Sequence, residues 1–211
     1  MGKFLKLLRV EQWVKNFFVF TPLFFSGNVT HVDLTLKSIF AFLVFSFTAS
    51  SIYILNDYTD IESDKKHPEK CKRPLASGAI TKTAAKIIFV LLILSVVLLV
   101  FFGADYFHKN FTKFSIIIAS YFFMNIAYTF KLKHVAIIDV CIIALGFVLR
   151  VLAGGYATGI VVSQWAILLT FVLALVLAIG KRRGELINAE ISGKTRKALD
   201  GYNVQFADIA L

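Results

Sequence analysis

The stretch Ile39-Phe-Ala-Phe-Leu-Val-Phe-Ser-Phe-Thr-Ala-Ser-Ser-Ile-Tyr-Ile-Leu55 carries no charge and runs directly into Asn56-Asp57-Tyr-Thr-Asp60-Ile-Glu62-Ser-Asp64. Seventeen such residues, extended by their flanks, are long enough to cross a bilayer as a helix. A helix is required there, because lipid offers no partner to an unpaired backbone N–H or C=O. The sudden run of carboxylates marks the place where this span meets water.

The rest of the chain follows the same grammar. Apolar runs recur at Asn16–Phe25, Ile87–Gly103, Phe114–Phe130, Val135–Leu152 and Val161–Gly180. The first is short and contains Pro22, which predicts a tilted or kinked crossing. Of 211 residues, 58% are hydrophobic and 17% charged, and the mean hydropathy is +0.75; a soluble domain is usually about a quarter charged. The expected fold is all-α, a polytopic transmembrane helical bundle of six spans occupying residues 1–211 as one domain, with no room for a soluble catalytic domain. Asn203–Leu211 opens another apolar helical pattern, expected either to lie in the interface or to begin a further span of a longer protein.

Charge gives the topology. Lys and Arg number four in Met1–Lys15, seven in Asn56–Lys86, two in Lys131–His134 and six in Lys181–Lys197, against one, two and one in the alternate segments. The positive-inside rule then puts the N-terminus and the three basic loops in the cytoplasm, at the inner membrane. The same bias accounts for the net charge of +10, so nucleic acid is not an expected partner. Cys71 and Cys141 differ too much in setting for a disulfide or a metal site and read as free thiols.

The acidic stretch carries the first chemistry. On a continuing helix, Asp57, Asp60 and Asp64 stand at i, i+3 and i+7, one stripe about two turns long, with Asn56 beside it. Three carboxylates so close repel unless a cation binds, and oxygen ligands of this kind suit Mg²⁺ completed by water and phosphate oxygens. These carboxylates are expected to hold metal and to contribute little to packing; a solvated helix end is the plain alternative. The following His67-Pro68-Glu69-Lys70-Cys71-Lys72-Arg73-Pro74-Leu75-Ala76-Ser77-Gly78 supplies counter-charge. Arg73, by its fork, and Lys72, as a point charge, suit phosphate oxygens, whereas Lys65, Lys66 and Lys70 read as ordinary basic decoration. Asp139 lies inside an apolar segment, where a carboxylate needs a partner: Lys131, Lys133 or a group on a neighbouring helix. Arg150 reads as a side chain snorkelling to the outer interface.

Asn56-Asp57-x-x-Asp60-x-x-x-Asp64 and the His-Pro-x-Lys-x-x-Arg-Pro-x-x-Ser-Gly run resemble the first aspartate motif, with its companion, of the UbiA superfamily of intramembrane prenyltransferases. Arg9-Val-Glu-Gln12-Trp13-Val-Lys15-Asn16 with Pro22-Leu23, Tyr128-x-x-x-Lys131, Asp139, Gly146-Phe-Val-Leu-Arg150 and Gly180-Lys181-Arg182-Arg183-Gly184-Glu185-Leu186 resemble the decaprenyl-phosphate phosphoribosyltransferase branch. Prenyl-diphosphate-using members carry a second aspartate motif where Lys-Arg-Arg-Gly-Glu-Leu stands here, which favours the phosphoribosyl branch.

The resemblance implies about nine spans, of which six are present here, and Mg²⁺ on Asp57, Asp60 and Asp64 as catalytic and metal residues. It also implies transfer of a phosphoribosyl group from phosphoribosyl pyrophosphate to a polyprenyl phosphate. Asn56, Lys72, Arg73, Lys15, Asn16, Tyr128, Lys131, Asp139, Lys181, Arg182 and Glu185 are the implied substrate-binding set. A prenyltransferase using a prenyl diphosphate is the alternative, and a non-enzymatic membrane transporter built around Asp139 the second. Oligomeric state and lipid tail length have no signature in the residues.

Overall fold

The computed structural model describes residues 2–103, 110–192 and 202–210. The link at 104–109 and the end of the last basic stretch, 193–201, lie outside the described residues, which contain helices and turns and no strand. In chain order the helices are α1 (Lys3–Leu8), a 3-10 helix (Val10–Phe20), α2 (Thr21–Phe25), α3 (Val32–Thr59), α4 (Ile61–Lys65), α5 (Lys82–Phe102), α6 (Phe111–Phe130), α7 (Ile138–Thr158), α8 (Gln164–Ser192) and α9 (Val204–Ala210), with short 3-10 turns at Lys70–Lys72 and Leu132–His134. Five of them, α3, α5, α6, α7 and α8, are long and apolar enough to cross a membrane. The protein is an integral membrane helical bundle.

The first apolar run does not form one of these long helices. Val10–Phe20 winds as a 3-10 helix and α2 follows with Pro22 in its first turn. There the missing N–H is harmless, so the proline starts a helix instead of kinking one. With a rise of about 2.0 Å per residue in the 3-10 part and 1.5 Å in α2, the two pieces reach at most about 30 Å, the thickness of the hydrocarbon core.

The chain divides into two compact units, residues 1–122 with 150–161 and residues 123–149 with 162–211. In the first, α3 is the central element. Its buried positions include Ser38, Ala41, Ser46, Thr48, Ala49, Ser50 and Ser51, small residues that let neighbouring backbones come close. Most of the hydroxyls find a partner within the helix or beside it, Ser38 Oγ being the exception among the described residues: Thr48 Oγ1 donates to the Val44 carbonyl at 2.8 Å and Ser51 Oγ to that of Thr48 at 2.7 Å. Trp13 Nε1 donates to Ser50 Oγ at 3.0 Å, and Ser50 donates to the Leu8 carbonyl at 2.7 Å, which moors the N-terminal segment to α3. By contrast, α5 beyond Lys86 is apolar on nearly every side, and the helix buries only Ala85 and Val96, as expected of a helix facing lipid. It begins at Thr81, whose Oγ1 accepts the Ala84 N–H at 3.2 Å, satisfying one of the orphan donors of the first turn.

In the second unit, Val140, Ala178, Ile179, Tyr202 and Ala207 form the core. Here α8 overruns its expected end at Gly180 and continues to Ser192. Lys181–Leu186 is therefore helix, not loop: Lys, Arg, Glu and Leu are good helix formers, and Arg182 Nη1 pairs with Glu185 Oε2 at 2.7 Å one turn away.

Candidate active site

The acidic stretch sits on a kink. Asp60 (φ −97, ψ 8) ends α3 and precedes α4, so the expected uninterrupted helix is broken at its middle carboxylate. The i to i−4 spacing nonetheless survives, with Asp60 N–H donating to the Asn56 carbonyl at 3.0 Å and Asp64 N–H to that of Asp60 at 2.8 Å. Asp57 and Asp64 consequently share a face, each 2% exposed, while Asp60 and Asn56 are half-buried.

The loop that follows is folded back by its own chemistry. Arg73 is extended (φ −63, ψ 144), as a residue before proline must be. Pro74 accepts the Ile80 N–H at 3.1 Å, and Leu75 and Ile80 anchor the loop in a core with Leu7, Ile54, Ile61 and Ala85. Arg73 thereby reaches the acids: its Nη1 lies 2.6 Å from Asp64 Oδ2 and 3.1 Å from Asp57 Oδ1. Lys70 Nζ is 4.0 Å from Asp64 Oδ1, and Lys72 is exposed beside them.

A second arginine completes the cluster. Arg9 takes the left-handed conformation (φ 50, ψ 48) that caps α1, lies 5.0 Å from the centroid of the Tyr53 ring and donates to Asp57 Oδ1. Sequence reasoning did not place Arg9 in the site, because nothing in local spacing links it to a carboxylate 48 positions away. Nor are these acids idle in packing: Asp57 and Asp64 are buried and ion-paired, contrary to the expectation that they only await metal.

The donor set fits Mg²⁺ as a two-carboxylate site. Oxygens of Asp57 and Asp64 converge on one cationic nitrogen, and Mg²⁺ is commonly held by one or two carboxylates with phosphate and water completing its shell. Among the described residues no three acidic, His or Cys side chains come together as a metal set, so Asp60 stands apart from the converging pair.

Deeper in the same unit, Asn16 is 1% exposed. It donates to Ser46 Oγ at 3.0 Å and accepts from Arg150 Nε at 2.9 Å. Arg150 Nη2 also donates to Tyr121 Oη at 3.1 Å, with its guanidinium about 5 Å from the ring centroids of Phe45 and Tyr121. Arg150 is 5% exposed: it does not snorkel, because polar and aromatic partners inside the unit solvate it. Lys15, next to Asn16, is exposed.

The second unit gathers Asp139, Arg182, Glu185, Tyr128 and Tyr202. Asp139 is 1% exposed, and its Oδ2 lies 2.9 Å from Arg182 Nε. Its partner is thus a group on another helix and not Lys131, which is exposed. Arg182, 8% exposed, also bonds Glu185 at 2.7 Å and the Tyr128 hydroxyl. Tyr202 donates to Asp139 Oδ1, a partner the sequence did not suggest. Lys181 is exposed beside Arg182. Cys71 and Cys141 are free thiols.

These features define an intramembrane helical protein with a buried acid–arginine cluster at the end of a central span. The chain belongs to the UbiA prenyltransferase family, whose sequence profile matches residues 17–182. It is 38% identical over 208 residues to the decaprenyl-phosphate phosphoribosyltransferase of Mycolicibacterium smegmatis, covering 96% of this chain and 63% of that relative. To the decaprenyl-phosphate phosphoribosyltransferase of Corynebacterium glutamicum it is 37% identical over 201 residues, covering 94% and 59%. The chain thus spans less than two thirds of the length of these curated relatives. Among solved structures, a UbiA homolog from Archaeoglobus fulgidus bound to DMAPP and Mg²⁺ shares its fold, with a TM-score of 0.73 at 19% identity over 99% of this chain and 71% of that one.

Proposed function

We propose that this protein transfers the 5-phosphoribosyl group of phosphoribosyl pyrophosphate to a polyprenyl phosphate, with Mg²⁺, releasing diphosphate. The observation that carries the reading is the cationic run Lys181-Arg182-Arg183 on α8, with Arg182 buried against Asp139 and Glu185, where a prenyl-diphosphate enzyme needs a second acidic motif. A substrate pair bearing several phosphates suits those cations. The names of the relatives from Mycolicibacterium smegmatis and Corynebacterium glutamicum support the same chemistry.

In this reading Asp57 and Asp64 would hold the metal, which when bound supplies positive charge against the departing diphosphate, and Asp60, outside the converging pair, turns toward it on binding. Arg73 exchanges carboxylate for diphosphate oxygens, to which its fork is matched, with Lys72 and Asn56 adjoining. A phosphate oxygen of the lipid attacks the ribose carbon as the bond to diphosphate breaks. That phosphate is already ionised near neutrality, so no residue need act as a strong base. In the second unit Arg182, held by Asp139 and Glu185 and bonded to Tyr128, binds a substrate phosphate or ribose, with exposed Lys131 and Lys181 assigned by the resemblance. Lys15 completes the set by resemblance, and Asn16, bonded to Ser46 and Arg150, backs it from inside the unit. The charge bias supports the inner membrane, with the N-terminus and residues 56–86 in the cytoplasm.

The second reading, a prenyltransferase, draws on the fold likeness to a homolog bound to DMAPP. The test is to supply the purified protein with labelled phosphoribosyl pyrophosphate, polyprenyl phosphate and Mg²⁺. Label in lipid with release of diphosphate is expected, and a prenyl diphosphate should not replace the donor. Alkylation of an aromatic acid by a prenyl diphosphate, without phosphoribosyl transfer, would establish the second reading instead.

A further inference from the structure

Ile137, at the turn before α7, has φ 69, a left-handed conformation that β-branched residues rarely adopt. Such a conformation persists where its surroundings over-determine it. Here the Ile137 N–H donates to Tyr202 Oη at 2.7 Å, and the same hydroxyl donates onward to Asp139 Oδ1. The Tyr202 ring is clamped in the core of the second unit with Val140, Ala178, Ile179 and Ala207. Burial, and then the hydrogen bond to Asp139, push the phenol above its ordinary range, so it stays protonated and remains a donor.

The other side of the carboxylate is held differently. Asp139 Oδ2 and Arg182 Nε are 2.9 Å apart, yet among the described residues neither atom makes an aligned hydrogen bond. Charge and close approach hold this pair together, and the directional bond from Tyr202 fixes which way the carboxylate faces.

We propose that Tyr202 is a positioning residue: by tying Asp139 to the strained turn at Ile137, its hydroxyl fixes the direction in which the Arg182 guanidinium meets a phosphate-bearing substrate. The role presupposes that Arg182 binds such a substrate. Tyr202→Phe keeps the ring packed and removes only the hydroxyl. With kcat and the KM for phosphoribosyl pyrophosphate and for polyprenyl phosphate measured separately, it should raise one KM about tenfold and change kcat by no more than about threefold. Arg182→Ala should raise the KM for the same substrate. Ile137→Gly, which relaxes the turn, should not restore Tyr202→Phe; the double variant also carries the measurement if the single one does not fold. Unchanged KM values in Tyr202→Phe, where Arg182→Ala raises one, would overturn the role. Restoration by Ile137→Gly would show that the hydroxyl serves the turn alone. If Arg182→Ala moves neither KM, the substrate role of Arg182 falls and that of Tyr202 with it.

Discussion

Arg73 Nη1 stands 2.6 Å from Asp64 Oδ2 and, through the same nitrogen, 3.1 Å from Asp57 Oδ1. One guanidinium therefore bridges two carboxylates that the kink at Asp60 leaves on a common face. Two buried acids so close would repel strongly if left alone, and Arg9 adds a second cation to Asp57. The cluster stores both halves of a diphosphate site: acids to hold a metal and arginines to hold phosphate oxygens.

Asp57→Asn should lower Mg²⁺-dependent turnover at least about a hundredfold, since loss of metal-borne charge stabilisation is worth several kcal/mol. Because Asp57 is buried between Arg9 and Arg73, the variant should also lose about 1–3 kcal/mol of stability. Half-buried Asp60 separates the two effects: Asp60→Asn should lose turnover with little change in melting. Turnover against Mg²⁺ concentration and thermal unfolding in detergent read both. Full activity in either variant would remove that residue from the metal site.

Arg9 combines a functional contact with a strained backbone, and two substitutions divide them. Arg9→Ala and Arg9→Gly both lose the guanidinium, but only glycine is at ease at φ 50. Arg9→Gly should accordingly be about 1 kcal/mol more stable than Arg9→Ala. Equal unfolding free energies would show that the turn carries no such strain.

How much of this was legible in the sequence follows from how far apart the interacting groups lie. The boundary from Leu55 to Asn56 is local, and it located the end of α3 and its acids. The loop before Gly78 announced itself through its prolines and basic residues. Arg9–Asp57 and Tyr202–Asp139 join residues 48 and 63 positions apart, and no periodicity links a turn arginine or a late tyrosine to a particular carboxylate. Arg150 was misread because a charge near the end of an apolar run looks the same whether its helix face meets lipid or other helices. Lys181–Leu186 read as loop because the hydropathy drops there, although nothing in those residues stops a helix.

Asn16 and Arg150 provide a direct check on that misreading. If Arg150 were solvated at an interface, Asn16→Ala would matter little. In the observed arrangement the substitution removes the acceptor of Arg150 Nε and the donor to Ser46, and about 1–3 kcal/mol of stability should be lost. Asn16→Ala combined with Arg150→Met should cost less than the two single changes added together, because the residues share one interaction. Strict additivity of the unfolding free energies would show that they do not.

Gly154 tests the closest approach in the first unit. A Cβ at this position of α7 would overlap the carbonyl group of Val19 and lie 3.3 Å from Pro22 Cδ. Two of the obstructing atoms are backbone, in the 3-10 helix that leads into α2, so no rotamer change relieves the clash. Gly154→Ala must push the two segments apart, and the adjoining bonds of Asn16 with Ser46 and Arg150 would be stretched with them. A loss of about 3 kcal/mol or more is expected, at the upper end of overpacking effects. Gly184 is the control: it too is helical, but nothing lies within 4 Å of a Cβ built there. Gly184→Ala should gain about 0.5–1 kcal/mol from helix propensity alone. Thermal unfolding and size-exclusion profiles in detergent distinguish the two, and a Gly154→Ala protein as stable as the parent would mean that the contact between Val19 and α7 is looser than the structure places it.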